Sequence, residues 1–334
     1  MTSATATVGR ERARRSARRV LSRHGWTIAV YGLLLVMLLY WRSLSKHWGT
    51  FDVQSLSTDA LPLVFAAMAQ AVVVISGGID LSVGSLMSVI SVLAAKYMIH
   101  MSFREAVLFA LLLVLVGMLA GAFTGLLITV SRVPDIVVTL AMLFVWHGVA
   151  LKILPFPGGG APPQFAQLAL GYTLSPWIPT GLVIVLVVFA LVWLPIRRAK
   201  PGLAIYAIGS NRNATFLSGI SVAKTRIGAY ALGGAFAALG GLALTAATSG
   251  YGDPNAGGYY TLNSVAAIVL GGVALVGGKG GLIGAIAAAV VLTLTKTSLV
   301  LRGVDPNYVQ VIQGTLIIVV VMLGAFVARH KVRR

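Results

Sequence analysis

The chain has 334 residues, 58% of them hydrophobic and only 10% charged, with a mean hydropathy of +0.92. A soluble domain carries about 25% charged residues, so this composition excludes a water-faced globule and places the chain in a bilayer. The net charge of +18 does not point to nucleic acid, because it gathers at the ends: seven arginines between Arg10 and Arg23, then Arg329, Lys331, Arg333 and Arg334. Basic ends around apolar runs orient a membrane protein, whereas a nucleic-acid footprint needs its charge on a folded polar face. With no cysteine, thiol chemistry is excluded, and with five scattered histidines no zinc, haem or other metal site is expected.

A span needs about 20 apolar residues, and the chain offers ten such runs, roughly 25–41, 59–76, 82–100, 103–130, 134–151, 176–196, 226–248, 262–276, 281–300 and 309–328. Residues 1–24 form a basic tail attracted to anionic lipid, and 329–334 a second one. The first run continues into Tyr40-Trp41-Arg42 with no small-residue cleavage site, so it reads as a span and not a signal peptide. With the N-terminus inside, nineteen basic residues fall on the cytoplasmic side and five outside. That asymmetry supports both the count and the orientation. The expected fold is therefore an all-α polytopic membrane protein of about ten transmembrane helices, with both termini cytoplasmic.

Small residues recur every four positions, as Gly117, Gly121 and Gly125 in one run and Gly233, Ala237 and Gly241 in another. Such stripes let helix backbones approach closely where lipid supplies no hydrophobic drive.

Three polar interruptions stand out. In the first, Ile75 to Ser85 contains Gly77-Gly78 and then Asp80, Ser82 and Gly84. The glycines predict a broken helix near 77–82, and Asp80 or Ser82 would cap the helix that follows. A carboxylate at membrane depth is costly and does not face lipid. Asp80 therefore reads either as this cap or as part of a hinge lining a solute path. The second interruption, 197–225, is the longest, and within it 209–219 predicts a short helix capped by Ser210 or Asn211 and ended by Gly219. Ala214 and Leu217 share one face, suited to lipid or to a soluble partner. The third runs from Gly252 to Gly281. Its Gly277-Gly278-Lys279-Gly280 has Val273 where a phosphate loop needs glycine, and Gly280 where Ser or Thr belongs. Any ATP chemistry must therefore sit on another chain. Gly271-Gly272 ahead of this turn echoes Gly77-Gly78, a hint of internal repetition.

At these segments the sequence resembles the permease subunits of ribose-type ABC importers, which include ribose, xylose, arabinose and autoinducer-2 systems. The likeness covers roughly residues 60 to 325. It is carried by Gly77 to Ser85 (GGIDLSVGS), by Asn211, Ala214, Thr215, Leu217, Ser218, Gly219 and Ile220, and by Ala266 to Gly272 through Gly280. The resemblance implies a single permease domain over 25–328, with a cytoplasmic coupling loop at about 197–225. It implies a dimer of ten-helix permeases, or a pair with a related permease, in the bacterial inner membrane. Two cytoplasmic ATPases would hold the ATP, and an extracytoplasmic binding protein would deliver a small sugar or sugar-like solute. The chain itself would be no enzyme and carry no cofactor. Gly77, Gly78, Asp80, Ser82, Gly84 and Asn263 would belong to the hinge and path, and Asn211, Ala214, Leu217, Ser218 and Gly219 would couple to the ATPase.

Two departures matter. Arg212 stands where the family often has an acid and Phe216 where it often has a base, so the docking groove of the ATPase should differ in charge. Thr261 and Asn263 replace common acids, which bears on the choice of solute. Weighed beside this reading are an ion-coupled carrier using Asp80, a non-transporting scaffold or sensor, and an ABC permease for branched-chain amino acids or nucleosides.

Overall fold

A computed structural model describes residues 25–45, 47–305, 308–315, 318 and 322. Among the described residues the chain is helical throughout, with only isolated bridges between Gly158 and Gly252 and between Tyr172 and Pro179. The helices are α1 (Gly25–Leu44), α2 (Thr50–Ile75), α3 (Val83–Tyr97), α4 (Phe103–Ser131), α5 (Asp135–Ile153), α6 (Pro163–Leu170), α7 (Thr180–Arg198), α8 (Lys200–Ser210), α9 (Arg212–Leu217), α10 (Val222–Ala247), α11 (Gly258–Leu270) and α12 (Leu282–Leu301). The chain is helical again at 308–315.

Local chemistry sets many of these boundaries. Ser102 opens α4 with a capping box: its hydroxyl accepts from the Glu105 amide, while its own amide donates to the Glu105 carboxylate at 2.8 Å. Asn211 caps α9 by accepting from the Ala214 amide at 3.0 Å. Pro134, Pro162 and Pro179 precede α5, α6 and α7 with extended ψ angles near 140°, where proline's missing N–H breaks no helical bond. Near the end of α7, Pro195 also has no N–H to give, and the helix widens into a π turn over Phe189–Trp193.

The core is built round α2, buried along almost its whole length from Leu56 onward. It packs against α10, α11 and α12, and α3 also packs against α10. By contrast α4, α5 and α7 bury one narrow stripe each and expose Leu111, Leu115, Leu119, Phe144, Leu186 and Leu191. Apolar surface of that extent is stable only in hydrocarbon, and helices satisfy their own backbone there. The molecule is a multi-pass membrane protein.

The glycine stripe of α4 works as a close-contact seam. A methyl group on Gly117 would lie 2.7 Å from the carbonyl oxygen of Gly234, and one on Gly121 would overlap that of Tyr230. The second stripe does not meet the first. Gly233 faces Val73 of α2 and Gly241 faces Ile90 of α3, so α10 uses successive faces against three helices.

Eight of the helices described are long and apolar enough to cross a bilayer, against the ten expected. The run at 262–276 is no full span: α11 has 13 residues, about 20 Å of helix against a core of about 30 Å. Its start is recessed, because the Gly257 amide donates to the Ser88 hydroxyl at 3.0 Å, one turn past the first turn of α3. The last run, 309–328, lies mostly outside the described residues, as do both basic tails. The span placed at 59–76 begins earlier, at Thr50, because polar Asp52, Gln54 and Ser57 mask helical continuity in a hydropathy reading.

Candidate functional site

The break in α2–α3 falls where expected and is closed by several elements. α2 ends in a motif in which Gly77 takes φ +81° and the Gly78 amide bonds back to the Val73 carbonyl at 3.1 Å. α11 ends in the same way, with Gly272 at φ +83° and the Val273 amide on the Ile268 carbonyl at 2.9 Å. The echo seen in the sequence is thus a repeated way of stopping a helix; Gly272 packs on Trp26, and the turn that follows it meets the end of α2. The Gly278 amide donates to the Ile75 carbonyl at 2.9 Å, and Gly277 packs on Gly77.

Asp80 is buried and its Oδ1 accepts from both the amide (2.8 Å) and the hydroxyl (2.6 Å) of Ser82. Ser82 occupies the cap position of α3 without bonding a backbone amide through its own side chain. Asp80 therefore fixes the start of α3 through Ser82. Beside it the carbonyl of Ile79, freed by the break, accepts from the Thr139 hydroxyl (3.3 Å) and shares the single proton of the Tyr230 hydroxyl, 3.3 Å away, with Asp135. The Asp135 contact is the shorter, at 3.0 Å, and Asp135 pairs with Arg226. A methyl group on Gly78 would sit 2.8 Å from both the Asp135 carboxylate and the Tyr230 hydroxyl. Small size, more than backbone freedom, accounts for glycine there.

The predicted short helix is α9. Ser210 is the last residue of α8, leaving Asn211 as the cap, and Gly219 takes φ +79° after it. Ala214, Leu217 and Ser218 are exposed, and Phe216 is exposed beside them. Thr215 alone turns inward. The segment 197–225 is not merely polar loop, since α8 fills its first half. α8 is what brings α9 to the break. Gly209 packs so closely on Ile75 that a methyl group would overlap its carbonyl oxygen, and the Arg212 guanidinium donates to the Gly77 carbonyl at 2.8 Å. Tyr206 of α8 donates to the Gly280 carbonyl at 2.9 Å. Burial pushes this phenol up from its ordinary value, so it remains a donor. The sequence offered Gly277-Gly278-Lys279-Gly280 as a failed phosphate loop; in the fold it is the piece that touches both α8 and the break.

Of the residues expected for the hinge and path, Gly77, Gly78, Asp80 and Ser82 form this junction, while Gly84 and Asn263 lie apart from it. Gly84 packs on Gly257 and Thr261 at the recessed start of α11, two residues from Asn263. The sequence reading missed Gly209, Asp135, Thr139, Tyr230 and the role of Arg212. One signal was available: Asp135 and Arg226 carry opposite charges at the starts of the runs 134–151 and 226–248, which begin on the same membrane side in the expected orientation. Among the described residues no cluster of His, Cys, Asp or Glu could hold a metal.

These features are an exposed short helix tied to a glycine-broken membrane helix, and comparisons with known proteins place the chain in a family. A family profile described as "Branched-chain amino acid transport system / permease component" matches residues 53–321. Ribose import permease protein RbsC of Escherichia coli (strain K12) is 33% identical over 87% of this chain and 91% of its own length. The chain belongs to the ribose-type ABC importer permeases. Other permeases of this family that resemble it are the fructose import permease protein FrcC of Rhizobium meliloti, 29% identical over 85% of this chain and 80% of its own. The autoinducer 2 import system permease protein LsrD of Escherichia coli O9:H4 is 28% identical over 92% and 94%. No solved structure gives a significant match.

Proposed function

We propose that this chain is the membrane subunit of an ABC importer that moves a small sugar or sugar-like solute into the cytoplasm of a bacterium. A separate cytoplasmic ATPase binds and spends the ATP, and an extracytoplasmic binding protein delivers the solute. Two permeases, identical or related, flank the path in the inner membrane. The observation that carries this reading is the bond from Arg212 of α9 to the Gly77 carbonyl, together with the contact of Gly209 on Ile75. A push on the exposed face of α9 reaches the end of the central helix through one side chain and one backbone contact. That is the arrangement a device needs to convert closure of a soluble motor into helix movement. The break end then faces the cytoplasm, as the surplus of basic residues on that side requires.

Leu217 is 83% exposed, so Leu217→Asp leaves the fold unstrained and places a charge where the ATPase docks. Solute uptake is expected to fall to background while the amount of inserted chain stays normal. Uptake at the native rate by that variant would remove α9 as the docking element and with it this reading of the mechanism.

A further inference from the structure

Where α4 ends and α10 begins, the surface opens into a cavity of about 480 Å³ that none of the contacts above fills. In the expected orientation it lies on the cytoplasmic side. Two arginines line it, Arg132 and Arg226. Arg226 is paired with Asp135, and its Nε is buried without a partner. Arg132 is exposed and has no ion-pair partner among the described residues. It ends α4 at φ +58°, the left-handed conformation in which glycine usually stands. A residue with a side chain is strained there, and this one sets a guanidinium beside the cavity. Donors complete the polar wall. The Ser221 hydroxyl accepts from the Lys224 amide at 3.4 Å, which leaves its own proton for another acceptor. The amides of Val222 and Ala223, in the first turn of α10, lie beyond the reach of intrahelical carbonyls, and the described residues supply no other acceptor. Asp135 is held by Arg226 and Tyr230. The excess that remains is the charge of Arg132 and the positive end of the α10 dipole, opposed only in part by the last carbonyls of α4.

The rest of the wall is apolar, formed by Ile128, Val222, Ala223 and the ring of Phe216 from α9. A soluble anion gains nothing from such surfaces. They continue along α4, where Leu119, Phe123, Leu126 and Val130 are all exposed. Spacings of four, three and four put these side chains on one face of the helix. The helix from Leu119 to Val130 is about 16 Å long, close to the half-thickness of a hydrocarbon core of about 30 Å. A cationic, donor-rich cavity at the end of an apolar stripe one leaflet long has the outline of a phospholipid.

We propose that this cavity binds the phosphate of an anionic phospholipid from the cytoplasmic leaflet, with the acyl chains laid along the Leu119–Val130 stripe. The phosphate oxygens accept from the Arg132 guanidinium, the Ser221 hydroxyl and the first amides of α10, and the glycerol backbone rests on Ile128 and Phe216. One unpaired cation matches one net negative charge. A zwitterionic headgroup would bring its own ammonium against Arg132, so the class is a phosphodiester lipid without an amine, such as phosphatidylglycerol. Phe216 belongs to the helix whose Leu217 faces outward, so a lipid seated here braces α9 from the membrane side and makes transport depend on lipid composition. The site rests on the membrane placement of the chain, and only its effect on transport rests on the importer reading.

The sequence has no cysteine, so a single introduced thiol reports on one place. Ala223→Cys, exposed on the cavity wall, is labelled with a maleimide in the purified full-length chain in mild detergent. Dioleoylphosphatidylglycerol at about ten times its Kd is expected to slow labelling roughly tenfold by mass action. Leu217→Cys, exposed on α9 outside the cavity, should label at an unchanged rate. Equal protection by dioleoylphosphatidylethanolamine would overturn the selection by charge, and equal protection by sodium phosphate at the same concentration would overturn the lipid as its source. Arg132→Gly suits the backbone at φ +58° and removes only the side chain, so labelling without lipid should stay as it was. It should then take roughly tenfold more phosphatidylglycerol to protect, the size expected for one charge-assisted bond. Arg132→Lys should recover most of that loss. Arg197→Ala removes another exposed arginine of the same side, outside the cavity, and should change nothing; a loss as large as that of Arg132→Gly would mean diffuse attraction and no site. Solute uptake by the intact complex is measured beside these in phosphatidylethanolamine vesicles with and without phosphatidylglycerol. The anionic lipid should raise uptake by the native complex and not by Arg132→Gly. Uptake with no protection at Ala223→Cys rejects the site. Protection with uptake indifferent to the lipid rejects the link to transport, and protection with no uptake in either vesicle rejects the importer reading and leaves the site standing.

Discussion

The pair Asp135–Arg226 offers the most direct test of how the junction is held. The two side chains are 15% and 13% exposed, so water screens them little, and Asp135 also takes the Tyr230 hydroxyl at 3.0 Å. Asp135→Leu leaves a buried guanidinium whose Nε already lacks a partner. Breaking a buried pair from one side costs about 3–5 kcal/mol, and the residual exposure places this case near about 3 kcal/mol. Arg226→Met is milder, about 2 kcal/mol, because Tyr230 still serves the carboxylate. With both replaced no charge is stranded, and the double variant should cost about 2 kcal/mol, giving a coupling of about 3 kcal/mol. The assay is reversible unfolding of the purified chain in mixed detergent micelles, followed by the fluorescence of its six tryptophans. A loss of 3 kcal/mol is about a hundredfold in the unfolding equilibrium. A double variant that costs the sum of the singles, about 5 kcal/mol, would refute the argument that the two charges act as one unit.

Other expectations concern the same end of the molecule. Asp80→Asn keeps an oxygen that can accept from the amide and hydroxyl of Ser82, so transport should persist with a stability loss of about 1 kcal/mol; Asp80→Ala should cost about 2–3 kcal/mol. Loss of uptake in a well-folded Asp80→Asn would instead assign the charge a direct part in transport. Gly209→Ala should push α8 off Ile75 and break the bond from the Gly278 amide, with a penalty of about 1–3 kcal/mol and uptake reduced more than expression; native uptake would show that this contact is slack. Arg212→Ala removes one charge-assisted bond at an exposed position, about 1 kcal/mol, and should slow uptake while ATPase binding in pull-downs persists. Equal loss of both would mean that Arg212 docks the motor and does not transmit its motion.

Much of this was legible in the residues. Hydropathy and glycine placement located the break at 77–82, the short helix with Ser210 or Asn211 as its cap, and most spans, because each depends on a local run and on backbone preferences that neighbours scarcely alter. The resemblance through GGIDLSVGS and the Asn211–Ile220 segment agreed with the family that the comparisons show. At one expected span, 262–276, local pattern and depth part company: α11 is apolar enough but too short, and it starts inside the bundle because Gly84 lets Gly257 approach. α8 was passed over because a helix of 11 residues with basic and glycine neighbours has no hydropathy signature.

The sequence by itself determined the solvent this protein lives in, since 10% charge cannot cover a surface in water, and it determined where helices must stop, since Gly77 and Gly272 can take backbone angles other residues avoid. Only the tertiary structure decided what each stop meets. The bond from Arg212 to Gly77 joins positions 135 residues apart and that from Tyr230 to Asp135 positions 95 apart. Nothing in either local sequence encodes such a pairing. It follows from helices packing at the distances their glycines permit, and from carbonyls at a break that must find donors once water is gone.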